Sequence, residues 1–134
     1  MSSPSVTQGS GAPLVSITTT SETAALTSGA MPVNAPGAQG VKVTATVTGA
    51  TGAGVTSAQV RLYRGTAITG TQIGGTIQES QGASSFYAMT IQALDTAPAA
   101  SAQYTVSVQM VGASGNSTVT YANVTAEVAT ASGA

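Results

Sequence analysis

The sequence predicts an all-β protein, a single β-sandwich or jelly roll of about seven or eight antiparallel strands, and three observations predict it. From Val41 onward, apolar residues alternate with Thr, Ser and Gln at the two-residue period of a half-buried strand. Glycine clusters separate these runs at short intervals. Helical spacing with caps is absent, because the Ala-rich pieces 97–102 and 129–134 are short and flanked by Pro or Gly.

Residues 1–40 hold Pro4, Pro13, Pro32 and Pro36, which interrupt ladders and helices alike. Their one alternating apolar patch is Leu14-Val15-Ser16-Ile17-Thr18. This segment reads as an extended Pro/Gly-rich N-terminal arm that pairs locally around 14–20. Otherwise it is a disordered tail, or it orders by lying across a neighbouring subunit. The chain then divides into an arm, 1–40, and a β-sandwich domain, 41–134. In the first strand Val41, Val43, Ala45 and Val47 alternate with Lys42, Thr44, Thr46 and Thr48, and the glycines of 49–54 turn the chain. Val60, Leu62 and Arg64 face one way in the next strand, and Gln59, Arg61 and Tyr63 the other. Gly65, Gly70, Gly74 and Gly75 punctuate a region of short strands around Ile68, Ile73 and Ile77. Two long strands follow, with Tyr87, Met89, Ile91 and Ala93 on one face of the first and Tyr104, Val106, Val108 and Met110 on one face of the second. The run 112–116 predicts a tight hairpin loop. In the last strand the apolar set moves from odd positions (Val119, Tyr121) to even ones (Val124, Ala126, Val128), which predicts a β-bulge or bend near Asn123. Strand pattern does not encode strand order, so jelly-roll and immunoglobulin-like topologies both remain open. Phe86 and four Tyr are the only aromatics for the core, so a core this light calls for support from partner subunits.

Charge narrows the function. Only 5% of residues are charged, against about 25% in an ordinary domain. They are Lys42, Arg61, Arg64, Glu22, Glu79, Asp95 and Glu127. A monomer relies on scattered charge for solubility, so this composition suits a chain that covers much of its surface with neighbours. Three basic residues cannot supply a phosphate-binding stripe or a polybasic membrane site, which excludes nucleic acid and membrane surfaces as partners. No apolar run is long enough to cross a bilayer as a helix. The first ten residues lack the basic and apolar regions of a secretory leader, which predicts a soluble protein of the cytosol or of a particle assembled there.

Chemistry has little to work with. Without His or Cys there is no Ser–His pair, no zinc site of the usual kinds and no disulfide. The four acids stand apart in sequence, which offers neither a glycosidase carboxylate pair nor a calcium loop. The glycine-rich run 70–75 lacks the Lys-Ser/Thr of a phosphate loop and reads as a turn. Two Asn-X-Thr/Ser sequons, at Asn116 and Asn123, are chance matches in a Thr-rich chain. The expectation is a protein that is not an enzyme and uses no cofactor or metal.

Arg61-Leu62-Tyr63-Arg64 concentrates the residue types favoured at interface anchors. It is either the solvated face of an edge strand or an inter-subunit contact, in which Arg61 or Arg64 meets Glu79, Asp95 or Glu127 of a neighbour. With Leu14, Val15 and Ile17 of the arm, Arg61, Tyr63 and Arg64 form the set of interface candidates.

Four stretches, 41–47, 59–65, 104–108 and 119–128, resemble the small β-sandwich virion proteins of tailed bacteriophages, above all head decoration (cement) proteins with a jelly-roll fold. Their spacing is also similar to trimeric sandwiches of the tumour-necrosis-factor type. The resemblance implies a homotrimer on the outer capsid surface of the virion, bound to the major capsid protein, with its arm reaching over adjacent subunits to stabilise the shell. The rival expectation is a phage fibre or adhesin module that binds a host receptor or glycan through exposed Tyr63, Tyr87 or Tyr121.

Overall fold

The computed structural model describes residues 5–10, 15–29, 31–32, 38–82, 84–96, 101–113 and 115–130. In chain order the strands are β1 (Ser5–Ser10), β2 (Val15–Ile17), β3 (Thr23–Thr27), β4 (Met31–Pro32), β5 (Ala38–Ala50), β6 (Ser57–Arg64), β7 (Thr71–Ser80), β8 (Phe86–Asp95), β9 (Ser101–Ala102), β10 (Tyr104–Val111) and β11 (Ser117–Thr130). One sheet, sheet I, runs β1-β11-β5-β8, with β2 also on β11. Sheet II runs β3-β10-β6-β7, and β4 and β9 form a short ladder of their own.

This order decides the topology. β1 and β2 pair with successive stretches of β11 and so share one edge position. Setting the β4–β9 ladder aside, sheet I then holds the first, eighth, third and sixth strands of the chain, and sheet II the second, seventh, fourth and fifth. That is the jelly-roll order of two interlocked Greek keys, and it excludes the immunoglobulin-like alternative.

Alternation sorts side chains as the sequence predicts. Val41, Val43, Ala45 and Val47 of β5, Tyr87, Met89 and Ile91 of β8, and Val60 and Leu62 of β6 are buried between the sheets. Tyr104, Val106, Val108 and Met110 of β10 close the core from sheet II. Phe86 is not part of it: it starts β8 on the outward parity and is 89% exposed.

Other expectations shift. The link 112–116 is not a hairpin loop, because β10 lies in sheet II and β11 in sheet I; it arches between the sheets, with φ positive at Gly112, Gly115 and Asn116. The region 71–80 is one strand. It carries a bulge in which Gly74, Gly75 and Thr76 stand opposite Arg61, between the pairs Val60–Ile77 and Leu62–Ile73. The bulge of the last strand falls at Thr120, since Val119 pairs with Gly49 and Tyr121 with Thr48. The parity change therefore precedes Tyr121, which faces outward, while Ala122, Val124 and Ala126 face the core. Residues 15–29 lie within the sandwich instead of in an arm outside it: β2 pairs with β11, β3 pairs with β10, and Ile17 and Ala25 enter the core. Ile17 was available to do so because the alternation of Val15-Ser16-Ile17 turns Val15 and Ile17 to the same, inward face.

Candidate functional site

Arg64 and Tyr63 point to opposite faces of β6, and each is held within the chain. Arg64 ends the inward row of β6 and reaches across the mouth of the sandwich to Asp95, the last residue of β8. Its Nε donates to both carboxylate oxygens at 3.0 and 3.1 Å, and its Nη2 to Oδ1 at 2.5 Å. Tyr104 Oη donates to the other oxygen at 2.7 Å. Asp95 is fully buried, while the Arg64 side chain keeps 29% of its surface exposed. The Asp95 hydrogen bond raises the Arg64 pKa above its ordinary value. Burial, and then the hydrogen bond to Asp95, pushes the Tyr104 phenol upward as well. A charge-assisted bidentate contact of this kind ties sheet II to sheet I at one edge.

On the outer face of sheet II, Arg61 and Tyr63 meet Glu22 from the segment joining β2 to β3. Glu22 accepts hydrogen bonds from Tyr63 Oη and Ser107 Oγ, and Arg61 Nη1 lies 3.9 Å from it. Arg61 also donates to Gln109 at 2.9 Å and to Gln59 at 2.7 Å. Burial and then the Glu22 hydrogen bond push the Tyr63 phenol up to about 12. Because residues 20–22 lie over this face, with the Thr20 carbonyl accepting from Gln109, Ser107 is buried despite its outward parity. Thr105, also buried, is 2.9 Å from the Thr27 hydroxyl and donates to the Gly65 carbonyl at 3.0 Å.

The interface candidates therefore divide. Arg61 and Tyr63 share one network, Arg64 belongs to another, Ile17 is core, and Val15 packs partly buried against the core. Arg61 and Arg64 meet carboxylates of their own chain, Glu22 and Asp95, where the sequence left open a solvated face or the carboxylates of a neighbour. Leu14 lies outside the described residues. Of the tyrosines expected in a glycan-binding head, Tyr63 and Tyr87 are buried, and Tyr121 is 39% exposed. Burial raises the pKa of Tyr87, whose hydroxyl donates to the Thr118 carbonyl at 2.8 Å.

The broad exposed surface is the outer face of sheet I. Alternation places Lys42, Thr44, Thr46 and Thr48 of β5 on it, beside Phe86, Ala88, Thr90, Gln92 and Leu94 of β8 and Tyr121, Asn123, Thr125 and Glu127 of β11. Short polar contacts lace it: Thr46 to Thr90 at 3.3 Å, Gln92 to Thr44 at 3.3 Å and Asn123 to Tyr121 at 3.2 Å. Lys42 and Glu127 stand opposite each other in register at one end, and the rest of these positions are uncharged. Phe86 at 89% and Leu94 at 52% are the most exposed large apolar side chains among the described residues. Both occupy the polar parity of an alternating strand, which is the sequence signal that could have found them. Among the described residues no group of His, Cys, Asp or Glu could hold a metal ion, and no helix is long and apolar enough to cross a membrane.

No protein-family profile and no curated protein matches the sequence. A solved structure described as Bacillus endospore appendages, a family of disulfide-linked pili, aligns over 97% of this chain and 93% of its own. The identity is 15% and the TM-score 0.47.

Proposed function

We propose that this chain is a non-enzymatic structural protein that works by contact, and specifically a decoration protein that seats on the outer surface of a phage head as a homotrimer. Its partners are then its own copies and the major capsid protein, and its place is the virion. The observation that carries this reading is the outer face of sheet I, which is broad and built of Thr, Ala and Gln. It bears Phe86, Leu94 and Tyr121, and its charge is confined to the Lys42–Glu127 end. Interface cores are depleted of charge and enriched in aromatic side chains in this way. The jelly roll is in keeping with it, being a common architecture of shell-forming domains. The work done is mechanical: many copies bridging subunit boundaries add modest contacts that multiply by repetition.

The test is to add purified protein to capsids assembled without it. Expected are saturable co-sedimentation, a trimer mass by light scattering, and shells that survive a higher temperature. A monomer that ignores capsids would end the reading, and binding to host cells in its place would favour a fibre or adhesin head.

A further inference from the structure

An open sheet edge presents unpaired backbone donors and acceptors, and proteins blunt such edges with short strands, bulges, prolines or charge. Among the described residues, three of the four edge positions are blunted. The first edge of sheet I is divided between β1 and the three-residue β2. In sheet II, β3 has five residues and a register shift against β10, while β7 carries the bulge at 74–76 and Glu79. Among the described residues β8 has none of these devices, and the bulge of β7 approaches it at Ala93, on the inward parity, where a Cβ at Gly74 would stand 2.7 Å from Ala93 Cβ. β8 is ten residues long and pairs with β5 without a register break from Phe86 to Asp95. It contains no Pro or Lys, and its single charge, Asp95, is buried against Arg64.

We propose that the free edge of β8 pairs antiparallel with the β8 edge of a second copy, about a two-fold axis through Thr90. A two-fold perpendicular to the sheet sets residues of the same face opposite one another. Centred on Thr90, it overlaps the whole stretch from Phe86 to Leu94. Phe86 then lies against the partner's Leu94, Ala88 against the partner's Gln92, and Thr90 against the partner's Thr90. The two most exposed apolar side chains thus cover each other twice, and the middle of the seam is a Thr–Thr pair, both favourable cross-strand combinations. No charge faces a like charge anywhere along the row. Moving the axis one residue to Ile91 sets Tyr87 against the partner's Asp95, which Arg64 already holds, and leaves Phe86 unmatched. The Thr90 register is thus the one that sets Phe86 against Leu94.

This rests on the decoration reading only for its setting: trimers at three-fold positions of a shell meet their neighbours across local two-fold axes, where such an edge would link them. The pairing itself is tested on free protein without capsids, so the two ideas fail separately. Because the chain has no cysteine, single Thr90→Cys, Ala88→Cys and Gln92→Cys variants of the full chain each carry one thiol. Opposed residues in an antiparallel pair have Cα atoms about 4.5–5.5 Å apart, inside the roughly 4.4–6.8 Å that a disulfide spans. Under mild oxidation at high protein concentration, Thr90→Cys is expected to run as a covalent dimer. Ala88→Cys and Gln92→Cys are each expected to stay monomeric alone and to cross-link when mixed. Thr46→Cys, on the same face but one strand inward and hydrogen-bonded to Thr90, should not link. Sedimentation of Phe86→Ser should lack the concentration-dependent gain in mass that the unaltered chain shows. Failure of Thr90→Cys to cross-link, or linking by Thr46→Cys as readily, overturns the proposal. Linking of Ala88→Cys to itself would overturn the Thr90 register.

Discussion

Replacing Arg64 by Met separates a buried ion pair from a surface one. Asp95 has no exposed surface, whereas the Arg64 side chain is 29% exposed, so the two partners differ in what they can do when left alone. Without Arg64 the carboxylate cannot reach water, and stranding a buried charge costs about 3–5 kcal/mol. Without Asp95, as in Asp95→Leu, the guanidinium can turn outward. The main loss is then the buried Tyr104 hydroxyl left without its acceptor, about 1–3 kcal/mol. The double variant Arg64→Met/Asp95→Leu carries that second cost alone, so adding Asp95→Leu to Arg64→Met is expected to restore about 2 kcal/mol. Urea unfolding reads these differences. At about 1–3 kcal/mol per molar urea, a 3 kcal/mol loss moves the midpoint by about 1–3 M. Protein concentration is held fixed, because assembly adds concentration-dependent stability. A cost below about 1 kcal/mol for Arg64→Met, the range of exposed pairs, or a larger loss from Asp95→Leu than from Arg64→Met, would refute the reasoning.

Gly49→Ala is expected to cost about 1–3 kcal/mol or more in the same assay, because its Cβ would stand 1.9 Å from the Thr118 carbonyl oxygen and 2.6 Å from Tyr87 Oη; an unchanged midpoint would count against the bulge geometry. Stability should hold up to the ordinary phenol pKa of 10.0 and then fall as pH rises. Tyr63, pushed up to about 12, and Tyr87 and Tyr104, also raised, keep their protons in the fold while the unfolded chain loses them. Each contributes a slope of about 1.4 kcal/mol per pH unit, and phenolate absorbance rising together with loss of β-sheet circular dichroism is the check. Deleting residues 1–29 removes Ile17, Glu22 and Ala25 along with β1 to β3 and is expected to unfold the sandwich, whereas deleting 1–10 removes β1 alone and leaves it folded. Circular dichroism of the two truncations distinguishes them, and a folded 30–134 fragment would show that the first three strands are dispensable.

Periodicity made the long strands legible, because β5, β8 and β10 each bury one parity and expose or hydrogen-bond the other. It failed where two residues decide a strand. Thr23-Ala24-Ala25-Leu26-Thr27 has too little apolar contrast to read as β3, and its strand state comes from the open edge of β10 beside it. The alternating patch around Leu14-Val15-Ser16-Ile17-Thr18 marked the place of β2, but not its partner: three residues suffice when β11 already supplies the ladder. The bulge was visible as a parity change but was misplaced, since Tyr121, apolar in name, belongs to the outer row. The interface candidates were chosen by residue type, and type does not reveal a partner. Arg61, Tyr63 and Arg64 have polar partners in their own chain, supplied by Glu22, 39 residues before Arg61, and by Asp95 at the end of another strand. Phe86 and Leu94 were legible by parity alone, and the shortage of aromatics pulled Phe86 into the expected core.

The distribution of charge determines how such a protein can associate. Arg64 is tied to Asp95 and Arg61 to Glu22, Gln59 and Gln109, which leaves Lys42, Glu79 and Glu127 as the exposed charged side chains. Lys42 and Glu127 face each other in register, so even that end of sheet I has little net field. A surface of this kind is not steered toward a partner, and encounter proceeds at the unsteered rate of roughly 10⁵–10⁶ M⁻¹s⁻¹. Nor does it gain register from opposite charges, so register has to come from shape and from backbone hydrogen bonds, which an open, regular edge such as β8 provides. Apolar and backbone contacts are little screened by ions. The mass of the assembled species by sedimentation is therefore expected to stay constant from low salt to about 1 M NaCl, where the screening length is about 3 Å. Dissociation on adding salt would mean that charge contacts, and not the seam of Phe86, Thr90 and Leu94, hold the copies together.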